Sequence, residues 1–429
     1  MSSVNVAHVL AVCVRATLAA QRYVMLDLVR LPEAEAKMTH TSGTPLATSA
    51  SAPRTVLDLT EADRAVLVDS LHRAVDVDVK AHLDYKDGDA ANDLVTTADV
   101  LTQAVVMKAL SRSFPSLPFT VVGEEDAPSS AVAAEAEACM TRHYDAIPTM
   151  PYEAELLAHV QAGVDANTRG DAAVVLHAES DAAMRRRLGI FIDPIDGTNC
   201  FVGGVWPAPM TLVGITLDSV PIAGVMNRVF YYPLTGGAAA STLPQPACVP
   251  SLSVVLHMPG LVAPFLVFDG DRVPTWVPPP ECTPDTRLAV CRSSTTRAEF
   301  LQRLLTQLEP CDSVCARGAG YKLYHLLKKV LAGRHVAQEA ITPADVFVCP
   351  PVTIKKWDCC APHAFLHALG GDVFGQDGTP LRYPLVCPDE AAGTSAFDIA
   401  ALPHGLVAVT AGATREVARR LGWTLVVQE

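Results

Sequence analysis

Short apolar runs and stretches of helical period alternate along the chain. Phe119–Val122 and Ile190–Ile192 read as buried strands, whereas Leu323, Leu326, Leu327, Val330 and Leu331 share one helical face. Near the start, Val6, Leu10, Cys13 and Val14 fit the inner face of an amphipathic helix that turns Arg15 to water, and a charge at that point argues against the apolar core of a signal peptide. Thr96, Thr97 and Asp99 lead another helix whose inner face carries Leu101, Ala104, Val105 and Ala109. Asp358 opens a further one, with Pro362 early in it and Gly370-Gly371 as its stop. The mixture predicts an α/β (α+β) protein. No run of about 18 uncharged, mostly apolar residues without proline occurs, so no membrane span is expected.

Three stretches interrupt the pattern. Residues 39–53 (THTSGTPLATSASAP) form a Ser/Thr/Ala/Pro-rich excursion, and residues 233–250 read PLTGGAAASTLPQPACVP. Residues 274–284 (PTWVPPPECTP) can stay in neither a helix nor a central strand, which places a domain boundary near residue 285 and divides the chain into 1–285 and 286–429. No internal repeat is visible.

Composition narrows the function classes. With 429 residues, 50% hydrophobic and 18% charged, the chain can bury a sizeable core and is not disordered throughout. The 33 Lys and Arg against 46 Asp and Glu leave a formal charge of −13, so a nucleic-acid polymer held on a broad basic face is not expected. A small anion held locally with the help of a cation stays open. Twelve cysteines without a CxxC form neither a zinc nor a disulfide framework. They suit a reducing, cytoplasmic setting in which Cys359 and Cys360 serve as packing residues.

Candidate chemistry lies in four acidic segments. In FTVVGEED an apolar strand ends at Gly123 and delivers Glu124 and Glu125 to its carboxyl end, where mixed folds place their sites; a solvated acidic turn is the alternative. In LGIFIDPIDGTNCF the dipeptides Asp193-Pro194 and Asp196-Gly197 predict a sharp connection after the strand. Two Asp three residues apart, with the Ile195 carbonyl between them, can also converge hard oxygen ligands on one cation. Gly197 and Thr198 then open a helical or turn segment whose N–H groups would face an anion. Asp358, in KKWDCCAPHAFLHALGG, reads as a helix cap or a ligand, and Asp99 as a first-turn acid or a ligand. An oxygen-only set drawn from separate segments suits Mg²⁺ rather than Zn²⁺.

The strings GEED, DPIDGT and WDCCAP, in that order with Asp99 upstream, resemble the metal-dependent, lithium-sensitive inositol phosphatase superfamily over roughly residues 60–425. Within it, TADVLTQ, a helical segment around Glu153–Val164, GAGYK at Gly318–Lys322 and WDCCAPHAFLHALGG resemble the inositol polyphosphate 1-phosphatase branch most. GEEDAPS, Lys355-Lys356 before Trp357, and Ala361-Pro362 resemble the 3′(2′),5′-bisphosphate nucleotidase branch at least as well. The stretch 334–351 is longer than the family pattern leads one to expect.

The resemblance implies a layered α/β/α/β/α fold with the site between an α+β first domain and an α/β second one. It further implies a lithium-inhibited phosphomonoesterase using a metal-activated water. Glu124, Asp193, the Ile195 carbonyl, Asp196 and Asp358 would hold two Mg²⁺, with Glu125 and Asp99 near a third. Asp99, Glu124 and Thr198 form the implied catalytic set, and the Gly197 and Thr198 amides would meet the phosphate. Lys322 would meet a second phosphate while Gly318, Ala319 and Gly320 let the backbone approach; a solvated lysine on a helix beginning at Tyr321 is the alternative. Ser293, Ser294 and Lys355 are further candidate substrate contacts. A small phosphorylated substrate is the expected partner. A catalytically dead sensor would lack one of these acids, and neither GxxxxGK[ST] nor GxGxxG is present to support another kind of nucleotide-binding module.

Overall fold

The computed structural model describes residues 1–31, 33–34, 36–37, 54–55, 59–82, 92–147, 174–231, 233–234, 251–259, 261, 263–293, 298–331, 341–351, 353–385, 400–402 and 404–424. The 39–53 excursion, the 153–164 segment, Ser294 and residues 334–340 lie outside them.

A seven-stranded sheet runs in the spatial order Asp271–Arg272, Phe265–Phe268, Leu252–Leu256, Val220–Arg228, Met210–Leu217, Leu188–Asp196, Thr120–Gly123. Its neighbours are antiparallel except the last pair, where Thr120–Gly123 runs parallel to Leu188–Asp196. A five-stranded sheet has the order Cys311–Ala316, Leu288–Ser293, Val346–Cys349, Leu406–Val409, Asp372–Phe374, parallel over its first three strands and antiparallel beyond. All strands of the first sheet precede residue 273, and all strands of the second follow residue 287.

Side-chain alternation explains the layering. On Leu188–Asp196, Ile190 and Ile192 join the core beneath the helices Val6–Arg22 and Thr97–Ser113, while Phe191 faces the opposite way, toward Trp357 and Cys360. Both faces of that strand are covered, which is why it reads as a continuous apolar run. Helices Ala319–Val330 and Lys356–Ala368 fill the space between the sheets, and Ala298–Gln307 and Thr414–Leu421 cover the far face of the smaller one. The result is an α/β/α/β/α stack. Helix Lys356–Ala368 sits directly on the large sheet: a Cβ at Gly214 would stand 2.4 Å from Cys360 Sγ, and one at Gly224 2.8 Å from the Ala361 carbonyl. Those two glycines set the depth at which Asp358 arrives.

The first helix departs from its amphipathic reading. Arg15 is not turned to water; its guanidinium donates to the carbonyls of Ile147 at 3.0 Å and Tyr144 at 3.4 Å and lies 4.9 Å from the centre of the Tyr144 ring. The helix is enclosed by Thr97–Ser113, the sheet and the π-helical segment Met140–Tyr144, and His8 is its one exposed residue. Continued through Leu28, it is long and apolar enough to cross a bilayer by length and composition, Arg15 included, and 83% of its most apolar 18-residue window is buried inside the fold.

Candidate active site

The DPIDGT string does not turn where its dipeptides suggest. Leu188–Asp196 continues as one buried strand through Asp193, Pro194, Ile195 and Asp196. Asp193 pairs with Leu212 and Asp196 with Met210, so three steps on one strand face two on the other. The extra residue is a β-bulge, where a proline without an N–H is tolerated. In a regular strand, residues three apart point to opposite faces. The bulge brings Asp193 and Asp196 to the same side. Gly197 then adopts φ 82°, a left-handed conformation that glycine reaches without strain, and the chain enters the short helix Thr198–Val202.

Asp358 comes from the layer between the sheets. It is the third residue of Lys356–Ala368 and accepts the Lys355 N–H, so capping and a place in the site coexist. One oxygen each of Asp193, Asp196 and Asp358 lie within 4.8 Å of one another. Asp193 and Asp196 are only 1% and 3% exposed, and Asp193 Oδ1 is buried without a hydrogen-bond partner among the described residues. Asp196 also accepts the N–H groups of Ala319 at 3.0 Å and Gly320 at 2.8 Å, which fixes the start of helix Ala319–Val330. A Cβ on Gly320 or Gly318 would stand 3.0 or 3.2 Å from Asp196 Oδ2, so the glycines of GAGYK allow this approach.

The structure thus engages the Ala319 and Gly320 amides with Asp196, where the sequence assigned them to substrate. The helix begins at Ala319 rather than Tyr321, and Lys322 is 6% exposed, with its ammonium 5.3 Å from the centre of the Phe347 ring. It is not a solvated lysine. Ser293 ends the strand Leu288–Ser293, where its carbonyl accepts from Arg292.

Glu124 follows the strand Thr120–Gly123 and stands close enough to Asp193 for its charge to push that carboxyl up. Two residues that the sequence reading did not single out hold the glutamates. The Lys80 ammonium lies 2.8 Å from Glu124 Oε1 and 2.5 Å from Glu125 Oε1. The Gln103 side-chain amide brackets the Glu125 backbone, donating to its carbonyl at 2.5 Å and accepting its N–H at 3.0 Å. Gly123 makes room for that clamp, since a Cβ there would meet Gln103 Oε1 at 2.4 Å. Asp99 is fully buried; its Oδ2 accepts the Thr96 N–H at 2.8 Å and hydroxyl at 2.5 Å. The Thr198 hydroxyl stands 3.0 Å from Asp99 Oδ1 and 3.2 Å from the Ile195 carbonyl, and its one proton serves either acceptor.

Burial dominates the electrostatics. It raises Asp99 to about 7 against the Thr96 hydroxyl, which lowers it. It raises Asp196 to about 6, against the charge of Lys322 and the two amides, and Glu125 to about 7, reinforced by the charge of Glu124. Asp193 is pushed well above the carboxylate range by burial, then by Glu124, Asp358 and Asp196. Burial alone would lower Lys80, but Glu124 and Glu125 outweigh it and hold the ammonium up. Crowded, desolvated carboxylates with an unpartnered oxygen and an all-oxygen donor set fit a hard divalent cation.

A pH dependence follows. A carboxyl whose pKa is raised by folding retains a proton that the unfolded chain has released, so its stabilising contribution is full below about pH 4 and is lost as pH rises through the folded value. Those values here are about 6 and about 7. In EDTA the melting temperature is expected to fall between about pH 5 and pH 8, and the gain on adding Mg²⁺ is expected to be larger at the upper end. Scanning calorimetry across that range checks it; a gain independent of pH contradicts it.

The chain is similar to several known proteins. Residues 58–242 match the model of the Inositol monophosphatase family. The 3′(2′),5′-bisphosphate nucleotidase 1 of Rattus norvegicus is 27% identical over 298 residues, 68% of this chain and 75% of its own length. The inositol polyphosphate 1-phosphatase of Mus musculus is 25% identical over 354 residues, 74% of this chain and 82% of its own. The solved structure of the extragenic suppressor protein suhB from Bartonella henselae aligns over 92% of this chain and 98% of its own, at 13% identity and a TM-score of 0.43. The nucleotidase match is the stronger of the two enzyme matches, whereas GAGYK resembles the inositol polyphosphate 1-phosphatase branch.

Proposed function

We propose that this chain is a phosphatase of the inositol monophosphatase superfamily, a magnesium-dependent enzyme that removes the 3′-phosphate of a 3′,5′-bisphosphorylated nucleotide. The carrying observation is the meeting of Asp193, Asp196 and Asp358 within 4.8 Å, with a buried Asp193 oxygen lacking a partner among the described residues. These residues and Glu124 would hold the cation, with the Ile195 carbonyl beside them. When bound, magnesium lowers the pKa of water and neutralises charge on a leaving oxygen. The chain supplies the remainder. Asp99 Oδ1, tied to the Thr198 hydroxyl, is the proton acceptor, and burial brings it to about 7, close to working pH. The Gly197 and Thr198 amides stand where the helix Thr198–Val202 begins and would donate to a phosphate oxygen.

The choice of a nucleotide rests on the stronger nucleotidase likeness and on Lys355-Lys356 before Trp357. A second reading, removal of the 1-phosphate of inositol 1,4-bisphosphate, is favoured by GAGYK and by the longer stretch over which the mouse enzyme aligns. The test is phosphate release from 3′-phosphoadenosine 5′-phosphate and from inositol 1,4-bisphosphate, each with Mg²⁺ and with or without lithium. A preference for the nucleotide of at least about tenfold in kcat/KM, inhibited by lithium, is expected. The opposite preference selects the second reading, and no Mg²⁺-dependent release from either substrate overturns both.

A further inference from the structure

We propose that Lys80 is the chain's own stand-in for a cation at Glu124 and Glu125, and that a divalent ion must displace its ammonium, so that Lys80 sets the metal affinity of the site. The inference rests on the metal-dependent reading above.

Lys80 lies in the strand Val77–His82, which pairs with Asn92–Thr96. Val79 faces Leu94 and Ala81 faces Asp93, so two steps on one strand oppose a single step on the other. The extra residue between them is Lys80 itself. A bulge of this kind re-aims a side chain, and such bulges recur beside active sites. Its neighbours Val77 and Val79 are 41% and 59% exposed, so the hairpin packs loosely there, yet the Lys80 side chain is only 23% exposed. What covers it is the acidic cluster: Glu124 and Glu125 have side chains 18% and 5% exposed and meet Lys80 across separations of 44 and 45 residues.

The chemistry is competitive. An ammonium carries three donors and one positive charge, enough to neutralise and orient the two carboxylates together. A divalent cation ligated by the same oxygens would stand in near contact with it, and the two positive charges repel each other strongly in a partly dry site. Binding therefore includes breaking the Lys80 pairs, and the apparent affinity falls by the population in which Lys80 is bound. The same pairs hold the glutamates in place while no ion is there.

Titration calorimetry of the metal-stripped full chain with Mg²⁺ alone, together with its melting temperature in EDTA, tests this. Lys80→Met keeps the aliphatic stem and removes the charge; Lys80→Gln serves if the Met variant does not fold. Mg²⁺ binding tighter by on the order of tenfold or more is expected, together with a lower melting temperature in EDTA. Unchanged or weaker binding by the neutral variant, with the wild type binding normally, overturns the inference while leaving the proposed site in place. A wild-type chain that takes up no Mg²⁺ overturns the reading of the site and the inference with it.

Discussion

Asp196→Asn is expected to lower phosphate release by on the order of ten-thousandfold while circular dichroism shows the fold retained. The scale follows from the reaction. Hydrolysis of a phosphate monoester requires on the order of 20 kcal/mol of catalysis, and a single hydrogen bond contributes about 1–3 kcal/mol. The clustered charges must supply most of it, and Asp196 is the residue where the demands on them meet. One oxygen faces those of Asp193 and Asp358, while the pair accepts the Ala319 and Gly320 amides. Asparagine has one acceptor oxygen. Its NH₂ group would either meet a backbone N–H or turn toward the acids, and neither orientation reproduces a carboxylate. The amide mismatch alone costs about 1–3 kcal/mol, which lowers the melting temperature by several degrees at most and accounts for no more than about two orders of magnitude in rate. Measuring kcat, melting temperature and Mg²⁺ binding on one preparation separates the effects. A rate that falls only as far as the stability change allows makes Asp196 a helix cap, and near wild-type turnover removes it from the chemistry.

The geometry behind that prediction was only partly legible in the sequence. DPIDGT announced two acids at the end of an apolar strand, because a strand covered on both faces leaves an unbroken hydrophobic run with the acids as its only charges. The bulge was hidden. Register depends on how Met210–Leu217 pairs, and Asp-Pro and Asp-Gly dipeptides look the same in a turn and in a bulged strand. Arg15 was misjudged for a related reason: amphipathic period presumes one wet face, and on the first helix the side that carries Arg15 is covered by the segment Met140–Tyr144.

Gln103 left a trace that could have been followed. It stands four residues after Asp99, hence on the same helical face and aimed at the same site. Lys80 left none, since its position rests on a bulge and on contacts 44 and 45 residues away. Cys359 and Cys360 read correctly as packing residues. Both thiols are pushed far up by burial, and Cys360 lies in the hollow left by Gly214.

Thr198→Val is expected to slow turnover by on the order of a thousandfold, and adding Asp99→Asn is expected to slow it no further. Valine is nearly isosteric with threonine and removes one hydroxyl, so the packing of Thr198–Val202 is retained. What disappears is the link from that hydroxyl to Asp99 Oδ1 and the Ile195 carbonyl. Asp99→Asn alone does more, because Asp99 Oδ2 accepts both the N–H and the hydroxyl of Thr96. An amide turned toward them gives up part of the capping box, worth about 1 kcal/mol of helix stability. The single variants therefore differ in melting temperature but should resemble each other in rate. Two groups that pass one proton along one path act as a unit, and once either is lost the other has nothing to pass it to. Two groups acting separately would multiply, placing the double variant about a thousandfold below either single one. Single-turnover rates for the three variants decide between these outcomes: a double variant as fast as the slower single keeps Asp99 and Thr198 as one relay, and a multiplied loss dissolves it.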